Sequence, residues 1–324
     1  MKRIIECVMN VSEGRDDTKL KAIAEQIEKI PDTFLLDYSA DPAHHRTVFT
    51  FIGTPNSIFE VTFKVVKKAM QLIDLREHKG VHPRIGAVDV IPFVPIRGVN
   101  MKDCVRIAHG LGRRIASDLE VPVYFYAEAA THIGRRDLFP IRKGEFEGLS
   151  QRVISDSIRQ PDFGSNRLHF SAGAIAIGAR NALIAYNIFL NTSDVEVAKK
   201  IAIHIRESSG GLVGVKALGF YIGYKDLAQV SMNVTNYQHT PLPKVFKSVQ
   251  RKARQLGVDV LSSEIVGLVP QAALKVSSAD SLKLEEFDSK QILETRINQV
   301  LSNTKGPHGG KGRKTQMQDA CLAG

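Results

Sequence analysis

Along the chain, stretches in which apolar residues alternate or run together give way to stretches in which they return every third or fourth position. The first kind predicts strands and the second amphipathic helices. Residues 3 to 11 (RIIECVMNV) read as a strand, and residues 16 to 30 as a helix with Leu20, Ile23, Ala24, Ile27 and Ile30 on one face. Pro31 stops that helix. Strands follow at 33 to 38 (TFLLDY) and 46 to 53 (RTVFTFIG), separated by the polar turn SADPAHH. A second helix begins at Pro55, which suits a first turn because its missing donor has no intrahelical partner there. Its apolar positions Ile58, Val61, Val65, Ala69, Leu72 and Ile73 carry it to about His78. Gly80 and Pro83 then break the chain, and AVDVIPFVPI (87 to 96) reads as a buried strand whose two prolines place it at a sheet edge.

A helix over about 101 to 119 and a strand at 121 to 128 extend this unit, and the polar stretch 131 to 170 is expected to hold one more helix. Residues 172 to 190 come nearest to a membrane span, but Arg180, Asn181 and Asn187 interrupt it, so two buried strands are expected. From 182 the pattern repeats. A strand (182 to 190) precedes a helix from Asp194 to about Arg206, with Ser193 as its expected N-cap. A strand pair (213 to 222 and 227 to 234), a helix (about 241 to 256) and a strand (258 to 266) follow, with further helices expected near 270 to 278 and 289 to 302. The order βαββαβ thus occurs twice. It predicts an α+β fold of two ferredoxin-like sandwich subdomains with mixed or antiparallel sheets, over residues 1–180 and 181–304. Residues 305–324, rich in Gly and Lys and without period, are expected to be a disordered tail.

A net charge of +10 favours acidic partners. Aromatics are only 7%, Trp is absent and the basic residues are scattered, which argues against nucleic acid. Cys7, Cys104 and Cys321 are too few and too widely spaced for a disulfide framework or a CxxC site, and a reducing cytoplasm is the expected compartment. The N-terminal apolar run is interrupted by Glu6 and Asn10, so no signal peptide is expected.

The segment EHKGVHPRIG (77 to 86) holds the most suggestive chemistry. His78 and His82 are four apart, but Gly80 and the restriction Pro83 places on residue 82 argue against the helix that would turn both imidazoles to one metal. What remains is a His in a rigid loop flanked by Lys79 and Arg84. On the residues alone, catalysis and a simple backbone hydrogen bond both stay open.

The runs ECVMNVSEG (6 to 14), HHRTVFTFIG (44 to 53), HKGVHPRIGAVDVIPFVPI (78 to 96), VPVYFYAEAA (121 to 130), RKGEFEGL (142 to 149), PDFG (161 to 164) and SSEIVGLVP (262 to 270), in this order, resemble the formiminotransferase family. The resemblance implies two α/β subdomains with folate in a groove between them, a cytoplasmic homodimer and a place in histidine degradation and one-carbon metabolism. The implied activity moves a formimino group from N-formimino-L-glutamate to tetrahydrofolate, a co-substrate with a polyglutamate tail, without a metal and with neither nucleic acid nor membrane as partner. The second histidine of the HKGxHPR motif is the family's catalytic one, here His82.

The folate-binding segment carries over onto Gly164, Ser165, Asn166, Arg167, Leu168, His169, Phe170, Ser171, Ala172 and Gly173. Substrate carboxylates need cations, for which Arg46, Lys79 and Arg84 are the candidates, with Arg135 and Arg136 behind them. Ser39, His45 and Val81 depart from the Asp, Asn and Glu of other members, and Asp41 becomes the acidic candidate near position 39. A His with a pKa near neutrality could take the proton of the attacking pterin amine and return it to the departing glutamate nitrogen. Two alternatives remain: formyl transfer between 5-formyltetrahydrofolate and glutamate, and folate binding without turnover.

Overall fold

Elements begin where side chains satisfy the first backbone donors. Asp16 accepts from the N–H groups of Thr18 and Lys19 to start α1 (Asp17–Glu28), which follows β1 (Ile4–Val11). β2 (Thr33–Asp41) and β3 (Arg46–Gly53) lead to Thr54, which caps α2 (Pro55–Leu72) with Pro at its start as expected. After β4 (Val88–Arg97), Asn100 and Asp103 exchange hydrogen bonds in a capping box at the head of α3 (Met101–Asp118). β5 (Val123–Ala127), the short helices α4 (Phe139–Arg142) and α5 (Glu145–Arg152), and β6 (Ile175–Ala179) complete the first half. The second half comprises β7 (Ile184–Leu190), α6 (Val195–Ile205), β8 (Val215–Ile222), β9 (Leu227–Val234), α7 (Leu242–Gln255), β10 (Val260–Val266), α8 (Gln271–Leu274) and α9 (Leu293–Ser302). The structure is a computed structural model and describes residues 1–303 apart from 43, 81, 153–156 and 276–277. Val81 and the tail 305–324 therefore lie outside the described residues.

Two sheets carry the fold. The first has six strands in the order β2-β3-β1-β4-β6-β5, and the second four in the order β10-β7-β9-β8. Pairing is antiparallel throughout the second and across β2, β3, β1 and β4, while β6 joins β4 and β5 in parallel. In each half the first strand of the βαββαβ unit lies between its fourth and third, so two ferredoxin-like units are present, the first enlarged by β5 and β6. This is the α+β fold expected from the duplicated pattern.

Several details differ from the sequence reading. β4 lies inside the first sheet, between β1 and β6, although its prolines suggested an edge. The ladder to β1 runs Glu6–Val94, Cys7–Phe93 and then Asn10–Val90, skipping the positions opposite Pro92, and a register shift beside Pro95 absorbs the second missing donor. α2 ends at Leu72 rather than near His78, and the next residues leave the helix to dock, the N–H of Leu75 donating to Ser171 O. Asp194, not Ser193, caps α6. The single helix expected in 131 to 170 is two short ones, and the helix expected at 270 to 278 is one turn, α8.

Ile5, Cys7, Met9, Val11, Phe49, Phe51, Ile91 and Phe93 pack one face of the first sheet against α1, α2 and α3. The opposite face is covered only in part. Leu293 and Ile297 of α9 sit on Ile4, Phe34, Leu36 and Ile52, and Ile141 and Leu149 sit on Val90, Tyr124 and Ala176. Between these covers Val8, Asn10 and Val48 stay half-buried. No helix among the described residues is long and apolar enough to cross a membrane.

Candidate active site

At one end of the central strands three loops meet: residues 12 to 16 after β1, the turn 41 to 46 between β2 and β3, and the HKGVHPR loop before β4. Asp41 closes the turn, accepting from the His44 N–H at 2.9 Å and meeting His44 Nδ1 at 2.6 Å. His45 has φ +50°, a region in which Asn and His are tolerated better than most residues. Its ring lies between Glu13 Oε1 (3.0 Å from Nε2) and Lys79 O (3.1 Å from Nδ1). Glu13 also accepts from the N–H groups of Gly14, Arg15 and Asp16. Burial opposes ionisation of Glu13, but these amides and His45 hold its pKa below the usual value.

Gly80 lets the two loops touch, since a Cβ there would stand 2.5 Å from His44 O and 2.7 Å from His45 Cβ. The contact continues into a stack of the His45 and His78 rings, 4.3 Å apart and 8° from parallel. His78 is buried, donates from Nε2 to His45 O at 2.8 Å and accepts at Nδ1 from Arg84 Nε at 3.1 Å. The rest of the Arg84 guanidinium is taken up by Glu145 (2.7 Å) and Glu147 (2.7 and 2.8 Å).

His82 is half-buried beyond this scaffold. Its Nε2 is 2.8 Å from Arg46 Nη1. Arginine only donates, so Nε2 is the acceptor and the ring proton is on Nδ1. Arg142, held by the Asp89 carboxylate, is a second guanidinium in its surroundings, and the His44 ring stands edge-on at 6.4 Å. Burial first, then the positive charges of Arg46 and Arg142, push the imidazole down to about 2. The near-neutral imidazole expected from the chemistry is therefore not what this conformation holds. Burial and the neighbouring Arg142 also lower the pKa of Arg46, while Asp89 and Asp41 raise it.

Comparison with known proteins identifies the family. The formiminotransferase domain's N-terminal subdomain matches residues 4–180, and the formiminotransferase domain matches residues 185–301. The chain belongs to the formiminotransferase family. It is 40% identical to the glutamate formimidoyltransferase of Streptococcus pyogenes serotype M1, over 92% of this chain and 99% of that one. With the glutamate formimidoyltransferase of Thermoplasma acidophilum it shares 43% identity over 92% of this chain and 99% of the relative. The formimidoyltransferase-cyclodeaminase of Rattus norvegicus is 40% identical over 97% of this chain, which spans 59% of that longer protein.

For a formiminotransferase, the placement of the other expected residues matters. Lys79 is exposed. Arg84 is fixed by three side chains, so contact with a substrate would require breaking that network. Arg135 is buried and paired with Asp162 at 2.9 Å, whereas Arg136 is exposed. The segment Gly164 to Gly173 is anchored to the loop that carries His82. Ala87 N donates to Ala172 O and Ala174 N to Ile85 O, and Gly173, at φ +70°, passes so close that a Cβ would lie 2.1 Å from Ile85 O. Within it Ser165, Asn166, Arg167 and Phe170 are exposed, Phe170 lies under Arg76, and His169 Nδ1 accepts from the Ala172 N–H. Arg142, His44 and Glu13 were not singled out from the sequence. Arg142 and Glu13 stand in the runs RKGEFEGL and ECVMNVSEG and His44 beside His45, so the signal was present, but nothing in one sequence says that Arg142 and His44 reach His82 or that Glu13 holds His45.

Proposed function

We propose that the chain transfers the formimino group of N-formimino-L-glutamate to tetrahydrofolate, giving 5-formiminotetrahydrofolate and glutamate. The observation that carries this is an imidazole bonded to the Arg46 guanidinium with a second guanidinium, Arg142, in its surroundings. A dicarboxylate donor wants such cations, and the transfer wants a single proton carrier. The pterin secondary amine attacks the amidine carbon, the new C–N bond forms, and the amine proton passes to His82. The bond to the glutamate nitrogen then breaks as that nitrogen takes the proton back.

Arg46 binds a substrate carboxylate, Lys79 approaches from solvent, and Asp41 orients His44 beside the imidazole. Arg84 acts indirectly, by fixing His78 and through it the loop. The segment 164–173 takes the folate, and the half-buried Val8, Asn10 and Val48 offer it a surface. A homodimer in the cytoplasm completes the reading, its pairing supported by the edge strand β8, where Leu218 and Tyr221 are more than half exposed. The test is an assay of purified protein with formiminoglutamate and tetrahydrofolate, with 5-formyltetrahydrofolate and glutamate as the parallel arm. Formation of 5-formiminotetrahydrofolate is expected. Turnover only in the formyl arm, or folate binding with turnover in neither, would replace this reading.

A further inference from the structure

The base required by this reaction has its lone pair occupied. A neutral imidazole offers one acceptor nitrogen, and for His82 that nitrogen, Nε2, receives the Arg46 guanidinium at 2.8 Å. While that hydrogen bond stands, no proton can be taken from an incoming amine. We propose that Arg46 is a latch on His82, drawn off Nε2 by the carboxylate of the bound donor, so that the base is uncovered only when substrate is in place. This rests on the reading of the site as a formimino transferase.

Two observations and one general preference favour release by an anion. The side-chain partner of Arg46 is a neutral ring, whereas Arg84 and Arg142 are tied to carboxylates. A guanidinium binds a carboxylate more strongly than a neutral acceptor, and in two-pronged geometry. Arg142 is a second positive charge that lowers the Arg46 pKa, after burial, so an anion drawn to Arg46 also eases that repulsion. The groups facing His82 are Arg46 from β3, Arg142 from α4 and His44 from the turn, with Asp41 and Asp89 behind the cations. Of the three, only Arg46 touches Nε2. With it withdrawn and the positive field partly neutralised, Nε2 accepts the amine proton and Nδ1 keeps its own. The imidazolium so formed then returns one proton to the glutamate nitrogen as the C–N bond breaks.

The experiment is long-range proton–nitrogen NMR of the full chain with labelled histidine, the His82 signals being assigned among ten histidines by loss in His82→Gln. Without ligand, wild-type His82 is expected to stay in the neutral Nδ1–H form from about pH 8 to 5. Saturating L-glutamate is expected to bring its titration into that window. In Arg46→Met, His82 is expected to take up a proton at higher pH than in wild type without glutamate, and to move no further on its addition. His82 titrating alike in wild type with and without glutamate overturns the latch, and this comparison needs no variant. Arg46→Met leaving the wild-type pattern unchanged overturns it equally. Calorimetry and the turnover assay separate the two proposals: if glutamate does not bind wild type while formiminoglutamate is turned over, release by carboxylate is overturned and the substrate assignment stands. If it binds without moving His82, only the latch falls.

Discussion

His82 and His78 stand four residues apart in one motif yet occupy different physical roles. His82 touches a guanidinium at the open side of the loop, and His78 is buried with both ring nitrogens satisfied and its face on His45. Replacing His82 by Ala is expected to lower turnover by a factor on the order of a hundred to ten thousand while the melting temperature and folate binding persist. Calorimetry reports the binding directly, since the chain has no Trp. His78→Ala is expected to do the reverse in kind. It strands the Arg84 Nε and His45 O, a loss of roughly 1–3 kcal/mol of stability per unsatisfied buried group. A lowered melting temperature with retained turnover per folded molecule is the expected result. If His82→Ala turns over within a few fold of wild type, the proton path through this residue is wrong.

The elements that place these side chains were largely legible from period. Strands β1, β3 and β9 and helices α1, α3 and α7 fall within a few residues of their expected bounds, because each has one face sealed in a core and its apolar spacing records that. The misreadings are where partners distant in sequence decide. Nothing local shows that Pro92 would be tolerated between two strands, or that the chain after Leu72 would leave its helix for Ser171. α9 is the clearest element-scale case. It belongs to the second half by sequence, yet packs on the first sheet, and Arg296 donates to Leu36 O at 2.6 Å. Ile297→Ala should therefore destabilise the protein by about 2–4 kcal/mol through the cavity it leaves. Truncation after Thr304 should leave melting temperature and activity nearly unchanged, because the residues beyond it lack apolar period. Calorimetric melting of the two proteins side by side checks both, and an equal loss would show that the tail joins the fold.

Across the whole molecule the two halves are held by contacts of mixed character: the α9 seat, the Lys216–Asp137 ion pair at 2.7 Å, and the half-buried Arg180 and Glu294 near the buried Glu6 carboxyl. Burial lifts the Glu6 carboxyl to about 7, with Arg180 lowering it and Glu294 of α9 raising it. The unfolded chain loses this proton near the ordinary carboxyl value of 4.5, whereas the folded chain keeps it to about 7. Folding stability therefore falls as pH rises through that window and stays lower above it. Glu6→Gln removes the dependence, so the variant's stability relative to wild type should rise between pH 5 and 8, by at most ~3 kcal/mol. Parallel urea titrations at the two pH values measure this, and an unchanged difference would show that Glu6 is ionised at both. The sequence by itself determined the duplicated α+β order, most element bounds and, through motif resemblance, the family, and it singled out His82 as the candidate base. These are local matters: the period of a strand or helix is written in the residues that form it. Only the tertiary structure decided that β4 is internal, that α9 crosses to the other half, that Arg84 is bound up in a carboxylate network, and that Arg46 covers the lone pair of His82. Each of these depends on which distant groups come within a few ångströms, and on how burial and neighbouring charge then set the cost of a proton or an ion pair, quantities that no single stretch of chain contains.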